Sequence, residues 1–203
     1  MGTLFIDSGR FLFNPLKIVG CKLWLDAADP ASLTLSGGSV DQWNDRSGNG
    51  FHMTAATTER PTSGTRSQNS LNVIDFDGTT DTMTGGMTVN QPNTVFVVAL
   101  SDVGADGSVR ALFDSNNATA GTQSRYGKGS TNFWQLISPT AANTTIAPDT
   151  SAHVHAVSMN GVSSYAFVDG ASGGSLSPGT NNITTGFRIG NNTLTPTRFW
   201  DGW

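Results

Sequence analysis

Residues 153–170 read HVHAVSMNGVSSYAFVDG. Two alternating apolar and polar runs, 153–161 and 163–170, meet at Asn160-Gly161, a dipeptide that favours a tight hairpin because both residues tolerate φ > 0. The stretch predicts two antiparallel strands, since a period of two cannot give an amphipathic helix a continuous apolar stripe. Working outward, NTVFVVAL (93–100) is β-branched and aromatic, bounded by Pro92 and by Ser101-Asp102. It is too apolar for a solvent-facing edge and is predicted as a core strand. CKLWLDA (21–27), NVIDFDG (72–78), VRALFDS (109–115), NFWQLIS (132–138) and GFRIGN (186–191) add further short strands. About eight or more strands separated by Gly, Asn, Asp and Pro turns, with one helical turn at Asp29-Pro30-Ala31-Ser32, predict two packed antiparallel sheets.

Composition agrees. The chain has 203 residues, enough for one buried core, and nothing in it resembles a spacer between two. Charged residues are only 13% of the total, and Thr, Ser, Asn and 24 Gly carry the polar load, which suits strands and turns. A net charge of −4 without a basic cluster argues against nucleic acid or anionic membrane as a partner. The lone Cys21 cannot form an intrachain disulfide, and no Cys/His spacing matches a zinc site. Asp7, Arg10, Asn14 and Pro15 interrupt the apolar N-terminus before a signal-peptide core forms, Ile6 breaks the myristoylation pattern, and no stretch is long enough to span a membrane. The chain is expected to be made in a cytoplasm, whereas its texture is that of proteins working outside cells. A virus particle reconciles the two.

KLWLDAADPASLTL, VDQWNDRSGNGFHMTA, RPT (60–62), VIDFDGTTDTM, TVFVVAL and HVHAVSMNGVSSYAFVDG with FRIGN occur in an order that resembles the laminin-G-like branch of the concanavalin A-like lectin/glucanase superfamily. The resemblance covers roughly 15–203. It implies an all-β jelly-roll sandwich of two antiparallel sheets, with ligands, where a member has any, on the concave face or at the loops along one rim. Modules of this kind are frequent in phage virion and bacterial surface proteins. Residues 1–14 fall outside the pattern, and their Leu4, Phe5, Ile6, Phe11, Leu12 and Phe13 suggest an arm that contacts the rest of an assembly. In the resembled family a segment like FWDGW is followed by another strand. The pattern here lacks that strand, so an open edge beside Trp200 and Trp203 is expected to be covered by further chain or by a neighbour.

Within DQWNDRSGNG (41–50), Trp43 is expected to point inward. Asp45 should hold a turn in which Gly48 and Gly50 supply φ > 0, its carboxylate accepting hydrogen bonds from turn N–H groups or pairing with Arg46 or Arg60. This structural reading is preferred over a metal-binding or sugar-binding loop. Asp75, Asp77 and Asp81 are weak calcium candidates, better explained by an Asp-Gly turn. His153 and His155 share a strand face, but no third metal ligand accompanies them. No cofactor is expected.

Glucanases of this superfamily use paired carboxylates, while this chain has one glutamate, Glu59, in a loop. There is also no G-x-S-x-G elbow. The expectation is therefore a protein that is not an enzyme. SRYGKGSTNFWQL (124–136) interleaves Tyr126, Phe133 and Trp134 with Arg125, Lys128, Asn132 and Gln135. That mixture of flat faces and polar donors makes Arg125, Tyr126, Asn132 and Trp134 the carbohydrate-binding candidates, although a hairpin whose aromatics alternate between core and solvent is the preferred reading of the segment. The sequons at Asn117, Asn143, Asn182 and Asn191 follow from Asn/Thr richness. The function expected is a phage capsid decoration, head-fibre or tail-associated protein, partnered by other virion subunits or further copies of itself. A carbohydrate-binding adhesin, possible also on a bacterial surface, is the alternative, and a glycoside hydrolase stands third.

Overall fold

Short strands with apolar side chains on one face bury that face, and here those faces meet between two sheets, with β-strands such as Trp134–Ile137 buried on both faces. The computed structural model describes residues 14–117, 124–192 and 197–203. The predicted N-terminal arm lies outside the described residues except for Asn14, whose Oδ1 accepts the Leu16 N–H and caps a short 3-10 turn, Pro15–Lys17. In chain order the strands are β1 (Leu33–Ser36), β2 (Ser39–Trp43), β3 (Met53–Thr54), β4 (Thr62–Gln68), β5 (Leu71–Asp77), β6 (Met83–Gly85), β7 (Asn93–Leu100) and β8 (Arg110–Ser115). They continue with β9 (Arg125–Lys128), β10 (Trp134–Ile137), β11 (Ala141–Asn143), β12 (Ala152–Met159), β13 (Ser164–Val168), β14 (Ala171–Leu176), β15 (Phe187–Ile189) and β16 (Asp201–Gly202).

The larger sheet has the order β11-β10-β9-β8-β15-β6-β3-β2-β4-β5-β16, with β1 paired to β2; the smaller is β14-β13-β12-β7. Every strand pair is antiparallel. Met53, Phe76, Met83, Phe113, Tyr126, Trp134 and Phe187 of the larger sheet pack with Val157, Met159, Ala166 and Val168 of the smaller in one core. The protein is an all-β sandwich. The helical turn predicted at Asp29 is a 3-10 turn, Pro30–Ser32, with Asp29 Oδ1 accepting the Ala31 N–H.

Four expectations change. The 153–170 stretch does form neighbouring strands, but Asn160-Gly161 is not a two-residue hairpin. Ser164 Oγ donates to the Gly161 carbonyl and accepts the Asn160 N–H, which stabilises a 3-10 turn, Gly161–Ser163. Residues 21–27 form no strand. Side chains of the 44–50 loop take up the backbone groups of Cys21, Lys22 and Trp24 instead. β7 is an edge strand of its sheet, with Phe96 and Val98 exposed, because β12 is its one strand partner among the described residues. Trp200 and Trp203 are buried rather than bare, since β16 pairs with β5 while Trp203 pairs with Leu100 across to the other sheet.

Candidate functional site

The 41–50 loop is built around one carboxylate. Asp45 Oδ1 accepts the N–H groups of Trp24 (3.1 Å) and Ser47 (2.8 Å), and Oδ2 accepts Ser47 Oγ (2.8 Å) and the Phe51 N–H (3.0 Å). Burial opposes the charge, but these donors outweigh it and hold the Asp45 pKa below the usual carboxylate value. Gly48 and Gly50 adopt φ of 88° and 77°. Trp43, at the end of β2, is partly buried against the core. Of the two expected roles of the carboxylate, acceptance of backbone N–H groups is the one observed, and the two arginines pair elsewhere. Arg46 pairs with Asp29 and lies 5.1 Å over the Trp24 ring, and Arg60 pairs with Asp41 at 2.6 Å. Four hydrogen bonds already occupy Asp45, so neither guanidinium is needed there.

The aspartates weighed as calcium ligands are engaged within the protein. Asp75 pairs with Arg66 at 2.9 Å. Asp77 Oδ1 accepts the N–H groups of Thr79, Thr80 and Asp81, while Oδ2 accepts both threonine hydroxyls. Against the cost of burial, these donors hold Asp77 well below the carboxylate range. Asp81 accepts the Asp77 N–H at 2.9 Å, and burial, helped by the nearby Asp77 and Asp75 charges, pushes its pKa up to about 6. The Asp-Gly turn thus uses its oxygens internally.

The carbohydrate candidates occupy a different place from that expected. Arg125, Tyr126 and Trp134 are buried, because β9 and β10 are covered on both faces. Tyr126 stacks on Trp134, their centroids 5.7 Å apart, and donates to or accepts from His155 Nδ1 at 3.1 Å; Trp134 continues to Trp200 at 6.1 Å. Asn132 is exposed in the β9–β10 turn at φ 62°, where its Oδ1 accepts the Gly107 N–H. These four residues therefore form no open sugar platform. Packing is what their aromatic faces serve.

The polar residues beside them form an internal row. Arg125 Nη2 donates to Gln135 Oε1 at 2.9 Å, and Gln135 Nε2 donates to Asn143 Oδ1 at 2.8 Å. Asp114 accepts the Ser115 N–H and the Asn192 amide. Its burial raises its pKa to about 6 despite the Arg125 charge. Lys128, also buried, donates to the Val103 carbonyl and to Asp106.

His153 and His155 have opposite surroundings although their rings lie 6.1 Å apart. His153 lies between Asp169 (2.6 Å) and Asp149 (2.8 Å); against desolvation, these carboxylates raise its pKa. Burial lowers that of His155 to about 4.

Two features escaped sequence reasoning. An open depression of about 560 Å³ is lined by Gln91, Pro92, Asn160, Gly161, Val162, Ser163, Thr180 and Asn182, all uncharged. The other is an apolar outer face on the smaller sheet, where Phe96, Val98, Val154 and Tyr165 are 63%, 56%, 52% and 41% exposed. The alternate residues of 94–98 and 152–158 were the available signal for that face. Within 93–100 the apolar character of both alternating sets concealed it.

The fold and these sites define an all-β sandwich of two antiparallel sheets with no cluster of three or more metal-binding side chains among the described residues. No protein-family model matches the chain, and no curated protein matches it. Among solved structures it is similar to a Trypanosoma rangeli sialidase in complex with 2,3-difluorosialic acid as a covalent intermediate, with 13% sequence identity and a TM-score of 0.50 over 86% of this chain. The match spans 29% of the sialidase chain, and at that identity the likeness establishes the fold alone. It nevertheless overturns the expectation that the chain is not an enzyme. That expectation rested on the single glutamate and the lack of a G-x-S-x-G elbow, which speak to two particular arrangements, and a solved structure with a similar fold is an enzyme.

Proposed function

We propose that this sandwich is a laminin-G-like jelly roll of the concanavalin A-like superfamily that works as a structural or display subunit of a virus particle, as a phage capsid decoration, head-fibre or tail-associated protein. The carrying observation is the uncharged apolar face of the smaller sheet around Phe96, Val98, Val154 and Tyr165. Contiguous apolar surface of this kind is costly to leave in water and is characteristic of faces that meet another protein. Low charge and the absence of a basic cluster in the sequence favour protein neighbours over nucleic acid or membrane. Imaging the native particle with an antibody to the chain tests the reading. Labelled particles are expected, and unlabelled particles from cells that make the protein would refute it.

A carbohydrate-binding adhesin is the second reading, favoured by the uncharged depression around Asn160, Ser163, Thr180 and Asn182. Amide and hydroxyl groups beside Pro92 and Val162 supply the polar and apolar contacts that a neutral sugar takes. A glycan array distinguishes it. Binding that is lost in Asn182→Ala and Thr180→Ala would favour the adhesin over the particle subunit.

A further inference from the structure

His153 stands at the rim of the core, on the face of β12 that also carries the buried His155, Val157 and Met159, with 17% of its side chain exposed. Its Nδ1 lies 2.6 Å from Asp169 Oδ2 and its Nε2 lies 2.8 Å from Asp149 Oδ1. Ionised carboxylates only accept, so each contact needs an N–H from the ring, and only the doubly protonated imidazolium has two. The two aspartates are anchored unequally. Asp169 Oδ1 also accepts the Val154 N–H at 2.8 Å, and the Asp169 N–H donates to the Val154 carbonyl at 2.9 Å, so this turn stays on β12 without the imidazole. The remaining bonds of Asp149 are to Ser151 of its own segment. Among the described residues, no other hydrogen bond ties 147–151 to the rest of the chain, and within that segment Pro148 alone is buried.

We infer that His153 is a pH-operated latch: as an imidazolium it holds residues 147–151, in the connection from β11 to β12, against the sheet, and on losing its Nε2 proton it releases them. The neutral ring keeps one N–H. That proton stays on Nδ1, where Asp169 is fixed by the backbone and the contact is shorter, and Nε2 then turns a lone pair on the Asp149 carboxylate. Repulsion at 2.8 Å opens a contact that no other hydrogen bond backs up. The groups facing His153 set the range in which this happens. Asp149 comes from the connection and Asp169 from the β13–β14 turn, and both carboxylates favour the charged ring, so release falls above the ordinary imidazole value of about 6.5. On its own strand His155 is neutral there, since burial lowers its pKa to about 4, and Ala99, opposite on β7, carries no charge. The segment is closed at acid and open at alkaline pH. The latch works in one isolated chain, with or without a particle around it.

NMR of the 203-residue chain across a pH series tests the latch, following the His153 ring together with the amide shifts and heteronuclear NOEs of Asp149, Thr150 and Ser151. All are expected to change with one midpoint, the NOEs falling as the ring loses its proton. Asp149→Asn offers an oxygen to the imidazolium and an N–H to the neutral ring, so the segment should stay ordered at both ends of the series. The His153 midpoint should also fall, for want of one carboxylate. His153→Gln donates from one nitrogen only and is expected to leave the segment open throughout. Thermal unfolding of both variants checks that they fold. NOEs that stay flat through the ring's titration, separate midpoints for ring and segment, loss of order in the Asp169 turn instead, an ordered segment in His153→Gln, or a wild-type response kept in Asp149→Asn would each overturn the inference.

Discussion

Asp45 accepts the backbone N–H of Trp24 at 3.1 Å, a contact between residues 21 apart that fastens the strandless 21–27 segment to the 44–50 loop. Segment 21–27 joins no ladder, so this carboxylate and the side chains of Ser47 and Asn49 perform the work that strand pairing does elsewhere.

Asp45→Ala is expected to cost about 1–3 kcal/mol, because the Trp24 and Phe51 amides lose their acceptor. Asp45→Asn should recover part of that. The pKa is lowered on folding, so the contribution is present above the unfolded value of about 3.9 and is lost as pH falls through the folded value. Chemical denaturation of wild type and both variants at neutral and acid pH measures it.

Trp200→Ala is expected to destabilise the protein by about 3–5 kcal/mol through an internal cavity, since the ring is fully buried against Trp134. Trp43→Ala should cost less, because Trp43 is only partly buried. Denaturant midpoints for the two variants should fall in that order; the reverse order would place Trp43 in the core.

His153 and His155 should titrate in opposite directions from the ordinary imidazole value of about 6.5, observable by NMR of the two rings. The raised pKa of His153 gives stability that is fully present below about 6.5 and fades as pH rises through the folded value. His155, lowered to about 4, makes the unfolded state the stronger proton binder between about 4 and 6.5, so this residue makes stability rise with pH over that window. His153→Gln should remove the first dependence and leave the second.

Asp81, raised to about 6, gives the opposite slope in the same range: the folded protein binds more protons than the unfolded chain, and stability falls as pH increases from about 4 to 6. Asp81→Asn keeps an acceptor for the Asp77 N–H and is expected to flatten that slope. Comparison of melting temperatures across the interval checks the change.

The sequence by itself determined the fold class. The period-two patterns of β12 and β13, the short apolar runs at β5, β8, β10 and β15 and the Gly- and Asn-rich turns are local properties, and a strand needs little beyond them to be recognised. The Asp45 turn was legible for the same reason, as its Gly48 and Gly50 carry the positive φ that the loop requires. Exposure was not. In the sequence, the aromatics of 124–136 could alternate between core and solvent or form a sugar-binding surface with Arg125, but covering both faces of β9 and β10 requires elements distant along the chain, and only their packing put Arg125, Tyr126 and Trp134 all inside. NTVFVVAL read as a core strand by its apolarity, whereas edge or centre depends on which strands pair on either side. The tertiary structure alone decided that, since hydrogen-bond partners in a sheet are non-local and, among the described residues, β7 has a strand on one side only.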